Sequence, residues 1–242
     1  SSLVGNVYGF ETYPSETKKH PLPDLIGSTF KKLIKSGFED SGPLDRLTKT
    51  QPIRFLGVAG AYNSFPENVG FNSIDTDGGW MAWYSGKIKP PTAGRFRFWG
   101  YADNHLLVAI NGKPIFEGSR YGSVLRKLPD RSRKNHPSLP CLNSSAGFAS
   151  GEWFDATDEP VQIDLLFGEQ GGHLTSGLLL IEREGASYDE TYWGQPEWPL
   201  FLTDRPNEEE VEEWQKLKKH MNLKLEGSFS IDPDQVWTKA SD

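Results

Sequence analysis

From Trp80 onward the chain alternates apolar and polar positions with the period of a β-strand. Trp80, Ala82 and Tyr84 alternate with Met81, Trp83 and Ser85. Lys89-Pro90-Pro91 and Ala93-Gly94 interrupt the run. From Arg95 to Gly100, Phe96 and Phe98 take one face, while Arg95, Arg97 and Trp99 take the other. A polar corner, Ala102-Asp103-Asn104, precedes a strand from His105 to Ile110 with Leu106, Val108 and Ile110 inward. Asn111-Gly112 closes that strand with a two-residue hairpin signal. Further on, Val161, Ile163, Leu165 and Phe167 alternate with Gln162 and Asp164, which this pattern turns outward, and Gly177 to Glu182 returns. Period-two alternation predicts antiparallel sheets with one buried face.

The flanks read differently. Leu3 to Phe10 and Ile53 to Val58 are predicted strands. A helix is predicted over Leu25 to Ser36, capped by Asp24, with Ile26, Phe30, Leu33 and Ile34 on one face and Gly37 at its end. Ser41 to Gln51 holds a second short helical turn. Tyr188 to Leu202 is an aromatic, Pro-rich coil laid over the sheets. Asn207 and Glu210 form a capping box for a helix through Met221, with Val211, Trp214, Leu217 and Met221 as its apolar stripe. Leu223 to Phe229 is read as a last strand.

Order and spacing add a resemblance. W-x-x-W-Y-S-G at Trp80 to Gly86 is followed by A-G-R-F-R-F-W at Ala93 to Trp99, the corner Ala102 to Asn104, and L-V-A-I-N-G-K at Leu107 to Lys113. Pro160 to Gly172 and Gly177 to Glu182 continue the match across about half the chain. This pattern resembles the protective-antigen-type (PA-fourteen) domain of toxin pro-domains, yeast flocculins and adhesins, and bacterial glycosidases. The resemblance implies a mainly β fold, an antiparallel, jelly-roll-like β-sandwich, to which the residue pattern adds a helix near each end. Length favours one domain over 1–242, with 1–52 and 186–242 as terminal elaborations and 117–152 as an insertion.

It also implies a site. In calcium-dependent members, two consecutive acids at the corner chelate the ion, which orders the hydroxyls of a sugar. Here the corner is Asp103-Asn104, so one acid is an amide, and calcium affinity follows the count of charged oxygens. Glu169 is the one carboxylate in the nearby Gly-rich loop, which also carries His173. Trp99, Tyr101 and His105 flank the corner as candidate stacking or hydrogen-bonding groups. Each ring has an alternative role, packing under a connection or a helix. The expected ligand is a glycan, on a secreted, periplasmic or cell-surface protein; Asp103 and Asn104 are candidate calcium ligands, with bonding to backbone amides at the corner as their alternative role.

Composition narrows the field. A net charge of −7 argues against nucleic acid, which needs a basic footprint. From Arg120 to His136, however, six Lys or Arg stand against one Asp, a basic insertion open either to a protein partner or to solvent alone. No apolar run reaches membrane-spanning length. The single Cys141 forms no intrachain disulfide. No G-x-S-x-G, H-E-x-x-H or C-x-x-C motif occurs, so a non-catalytic role is expected, although paired carboxylates for glycoside hydrolysis stay open. Asp75 to Gly79 reads as an acidic turn rather than an EF-hand loop, because Gly79 stands where a ligand would be. Asn143-Ser144-Ser145 matches a glycosylation acceptor. The alternative to glycan recognition is a structural or protein-docking module.

Overall fold

Two antiparallel sheets stack face to face, and each is covered on its outer side. The computed structural model describes residues 2–10, 22–45, 47–61, 79–119, 149–169, 176–190, 196–220 and 229–240. The elements are β1 (Val4–Gly9), α1 (Leu22–Lys35), β2 (Thr48–Lys49), β3 (Ile53–Arg54), β4 (Ala59–Ala61), β5 (Trp80–Lys89), β6 (Gly94–Asp103), β7 (His105–Ile110), β8 (Lys113–Glu117), β9 (Ala149–Ser150), β10 (Phe154–Ala156), β11 (Val161–Glu169), β12 (Ser176–Arg183), α2 (Glu208–His220) and β13 (Thr238–Lys239). The first sheet runs β2-β1-β5-β11-β7-β8, with β3 on β1 and β13 on β5. The second runs β10-β6-β12-β4, with β9 on β6.

Consecutive strands change sheets. The chain passes from β5 in the first sheet to β6 in the second and back to β7. Pro90 and Pro91 make the first crossing, where missing N–H groups end the ladder. Phe96, Phe98, Leu106, Val108 and Ile110 all face the inter-sheet core, as the alternation predicts. The Asn111-Gly112 turn has φ of 51° and 74°, the two left-handed residues of a type I′ hairpin.

The outward positions are buried as well, and this corrects the expectation for β11. Asp164, predicted to face solvent, is 1% exposed. Its neighbours on that face include Leu107 and Leu166, which pack with Met81 under Ile26, Phe30 and Leu33 of α1. An antiparallel sheet with apolar side chains on both faces needs a second cover. The helix begins at Leu22, three residues before the predicted start, so Asp24 lies inside its first turn. It ends as predicted, at Gly37 with φ of 64°. The Gly37 N–H donates to the Ile34 carbonyl (3.0 Å) and the Phe38 N–H to that of Leu33 (2.8 Å), a Schellman close. The short turn after it is a 3-10 helix, Gly42–Leu44.

The second sheet is covered from far away in sequence. Trp99, Tyr101, Leu178 and Leu180 lie under Trp198, Leu200, Leu202, Trp214 of α2, and Phe229. The α2 cap forms as predicted: the Glu210 N–H donates to Asn207 Oδ1 and the Asn207 N–H to Glu210 Oε2, both at 2.8 Å.

The predicted strand over Ile53 to Val58 is shorter. Only Ile53–Arg54 pairs, and residues 55–58 cross between sheets. Phe55 N–H donates to Leu3 O, and Val58 O accepts from Leu179 N–H. Described parts of both terminal stretches enter the sandwich. β1 pairs along β5, and Phe201 and Trp237 lie in the inter-sheet core. The last strand is Thr238–Lys239; most of the predicted Leu223 to Phe229 strand lies outside the described residues, and Phe229 itself packs as cover for the second sheet. Arg120 to His136, Cys141, Asn143, His173, Met221 and the Asp75 to Gly78 part of the acidic turn also lie outside them. No helix among the described residues is long and apolar enough to cross a membrane.

Candidate functional site

The corner between β6 and β7 is where the two sheets are tied together at one end. Asp103 ends β6 opposite Ser176, and His105 starts β7 opposite Gly168. Between them, the Asn104 N–H donates to the Gly168 carbonyl at 3.4 Å. Gly118 serves both sides: its carbonyl accepts from Ala102 N–H (2.9 Å), and its N–H donates to Leu106 O (2.9 Å). Ser119 Oγ accepts the Leu106 N–H at 3.2 Å. Glycine is required at 168, since a Cβ there would stand 2.6 Å from the Trp80 carbonyl. Glu169 then pairs with Trp80 and is 4% exposed.

This end anchors the long connections. Ala61, at the end of β4, pairs with Ser176, which separates it from Asp103, and the Gly79 carbonyl before β5 accepts from Phe10 N–H. Segment 120–148 departs after Ser119, bridged to Ala102, and returns at Ala149, paired with Gly100. Segment 170–175 joins Glu169 to Ser176.

Of the predicted site residues, the structure gathers Asn104, Glu169 and the backbone of Asp103 at this rim. It turns the three flanking rings away from the rim, onto the outer faces of the two sheets. Trp99 points to the outer face of the second sheet, 3% exposed, its indole N–H donating to Glu182 Oε2 at 2.6 Å. Tyr101 lies beside it in the same cluster, with no exposure. His105 points to the outer face of the first sheet, under Phe30 of α1 at 5.4 Å between ring centroids. The exposed stacking faces expected at these positions are therefore absent, because each sheet carries a second apolar cover. Packing, the alternative role, is the one these three rings take.

Calcium takes six to eight oxygens. Among the described residues no three His, Cys, Asp or Glu side chains gather around one point. At this rim the described side chains Asn104 and Glu169 offer one amide oxygen and one carboxylate.

Two features escape a sequence reading. On the outer face of the second sheet, Arg97 stacks over both Trp99 and Trp153, with its guanidinium carbon 4.5 Å from each ring centroid. Glu182 accepts from Arg97 Nε (2.5 Å) and from Trp99. The result is a ladder, Trp153–Arg97–Trp99–Trp198, whose outer member is partly exposed. The Arg-aromatic alternation of R-F-R-F-W was the available signal. The second feature is Asp164, an acid in the apolar run V-Q-I-D-L-L-F. Burial pushes its carboxyl above the usual range, and hydrogen bonds from Ser85, Trp83 and Gln162 oppose that shift.

No protein-family model matches the chain, and no curated protein matches it. Among solved structures, the chain is similar to the PA14 domain of the antifreeze protein MpAFP, at 16% identity over 77% of this chain and 84% of that one, with a TM-score of 0.42. It is similar to the PA14 sugar-binding domain from an RTX adhesin, at 12% identity over 83% and 96%, TM-score 0.40. It is also similar to the epithelial adhesin 9 A domain from Candida glabrata, in complex with Galβ1-3GlcNAc, at 11% identity over 77% and 84%, TM-score 0.45. The likeness is one of fold.

Proposed function

We propose that the chain is a non-catalytic carbohydrate-recognition or adhesion module of an extracytoplasmic protein, with the β6–β7 corner as its recognition end. The observation that supports this reading is convergence. Ala61, Ser119, Ala149, Glu169 and Ser176, the described residues that flank three connections, lie at the end of the sheets that holds Asp103 and Asn104. A sandwich whose two faces are covered presents its ends, and binding residues concentrate on connections held by a rigid scaffold. The motif resemblance supplies the ligand class.

A glycan array, run with calcium and with a chelator, tests the reading. Binding of a defined glycan that is lost in Asp103→Ala or Glu169→Ala is expected, and dependence on calcium would mark the ion as part of the site. A second concavity of about 430 Å³, walled by Arg183, Tyr188, Asp189, Asp232 and Gln235, provides the control. Loss of binding in Asp189→Ala with the corner variants unaffected would move the site there. Silence on every glycan, with capture of a protein that depends on Arg120 to His136, would favour the docking alternative.

A further inference from the structure

At the opposite end of the first sheet, Asp164 lies in the wall of an open cavity of about 740 Å³. The cavity lies between two left-handed turns, Gly37-Phe38 after α1 and Asn111-Gly112 after β7. The turns touch: a Cβ on Gly112 would stand 3.2 Å from the Gly37 carbonyl. Asp164 Oδ1 accepts the Trp83 indole N–H at 3.0 Å, and Oδ2 accepts from Gln162 Nε2 at 3.5 Å. These donors are neutral, as is the Ser85 hydroxyl. The surrounding cations are committed elsewhere or do not reach it. Lys113 holds Glu152 at 2.6 Å, and neither Lys87 on β5 nor Lys35 on α1 forms an ion pair with Asp164 among the described residues. A buried carboxylate held only by neutral donors carries an uncompensated desolvation cost.

The rest of the wall has the same sign. The Gly37-Phe38 turn that closes α1 lines the cavity, which puts the negative end of the helix dipole nearby. Glu39 stands at the mouth. A buried titratable group that lines a cleft is a functional-site candidate. We propose that this cavity binds a primary alkylammonium group, with Asp164 as its counter-ion and the α1 terminus and Glu39 adding to the field. The shared chemistry is the ammonium; an amino sugar and a lysine side chain are its two sources.

The experiment follows the Trp83 indole N–H resonance in the full chain. Glucosamine and Nα-acetyl-lysine methylamide are titrated in parallel with their neutral counterparts, N-acetylglucosamine and the Nε-acetylated lysine compound. A saturable shift with at least one ammonium compound is expected, weaker by about tenfold or more once the amine is acetylated. Which of the two shifts the signal identifies the source. Asp164→Asn, which leaves the reporter in place, abolishes the response. No saturable shift with either amine, an equal shift with the acetylated compounds, or a shift that survives Asp164→Asn overturns the proposal. If that variant does not fold, titration of the unaltered chain toward acid decides: the response must vanish as Asp164 takes up its proton, and a response that persists refutes the assignment.

Discussion

The indole of Trp99 lies flat on that of Trp198, with ring centroids 4.2 Å apart and planes 12° from parallel. The two residues come from distant parts of the chain, and their contact seals the second sheet. Trp198 is 4% exposed. Its removal leaves a cavity that Leu200, Leu202 and Trp214 border in the same cluster. Trp198→Ala is therefore expected to cost about 3–5 kcal/mol, the range for large aromatic truncations in cores. Urea denaturation measures it. An unchanged midpoint would mean that the cover does not pack in solution.

The ladder beneath that stack makes Arg97 irreplaceable by lysine. A guanidinium is planar and lies over two rings while its Nε holds Glu182; an ammonium does neither as well. Arg97 and Glu182 side chains are 25% and 17% exposed, so solvent screens the pair only partly. Arg97→Lys is expected to lose about 1 kcal/mol. A double-mutant cycle between Arg97 and Trp153 should give a coupling of about 0.5–1 kcal/mol. Strict additivity of the two single variants would show the ladder to be geometric proximity alone.

What could be read from residue order, and what could not, divides along sequence separation. The Asn111-Gly112 turn, the Asn207–Glu210 capping box and the inward row Phe96, Phe98, Leu106, Val108 and Ile110 are local patterns, each fixed by residues a few positions apart. Period-two alternation assigns a side chain to a face. It does not say which sheet a strand joins, so the alternation of β5, β6 and β7 between sheets was hidden. Nor does it say what covers the outer face. Trp99 and His105 occupy positions of their strands that look solvent-facing. Their covers, Trp198 and Phe30, come from segments whose docking no local rule encodes. The corner itself was legible as Asp103-Asn104, but the approach of Glu169 depends on β11 lying between β5 and β7.

Asp164 predicts a pH dependence. Its carboxyl is held above the ordinary range by burial, so the folded chain binds its proton more tightly than the unfolded chain does. The stability this proton confers is fully present below the unfolded value, about 3.9, and is lost as pH rises through the folded one. Asp164→Asn carries no titrating proton and keeps an oxygen for the Trp83 N–H. Its stability relative to the parent is expected to increase steadily with pH across that window. Melting curves by circular dichroism at a series of pH values supply the comparison. A difference independent of pH would contradict the raised carboxyl.

The C-terminal segment should behave as part of the core rather than as a tail. Trp237 is 1% exposed and meets Phe96 edge-on at 4.9 Å, with Phe201 at 5.8 Å and Phe154 at 6.0 Å. Its N–H donates to Leu202 O, and β13 after it pairs with Lys89 and Ile88. β1 occupies the same edge of β5 from Ser85 back to Trp80, so the two ends of the chain share one strand. Trp237→Ala is expected to cost about 3–5 kcal/mol, and domains of this kind hold about 5–15 kcal/mol in all. A chain truncated after residue 228 loses β13 and Trp237 together. It should lose its cooperative melt and bind a hydrophobic dye while keeping much of its secondary structure. Trp237→Phe, which retains most of the ring volume, should melt cooperatively at a modestly lower temperature. A truncated chain with a sharp, parent-like transition would show that the sandwich closes without its C-terminal strand.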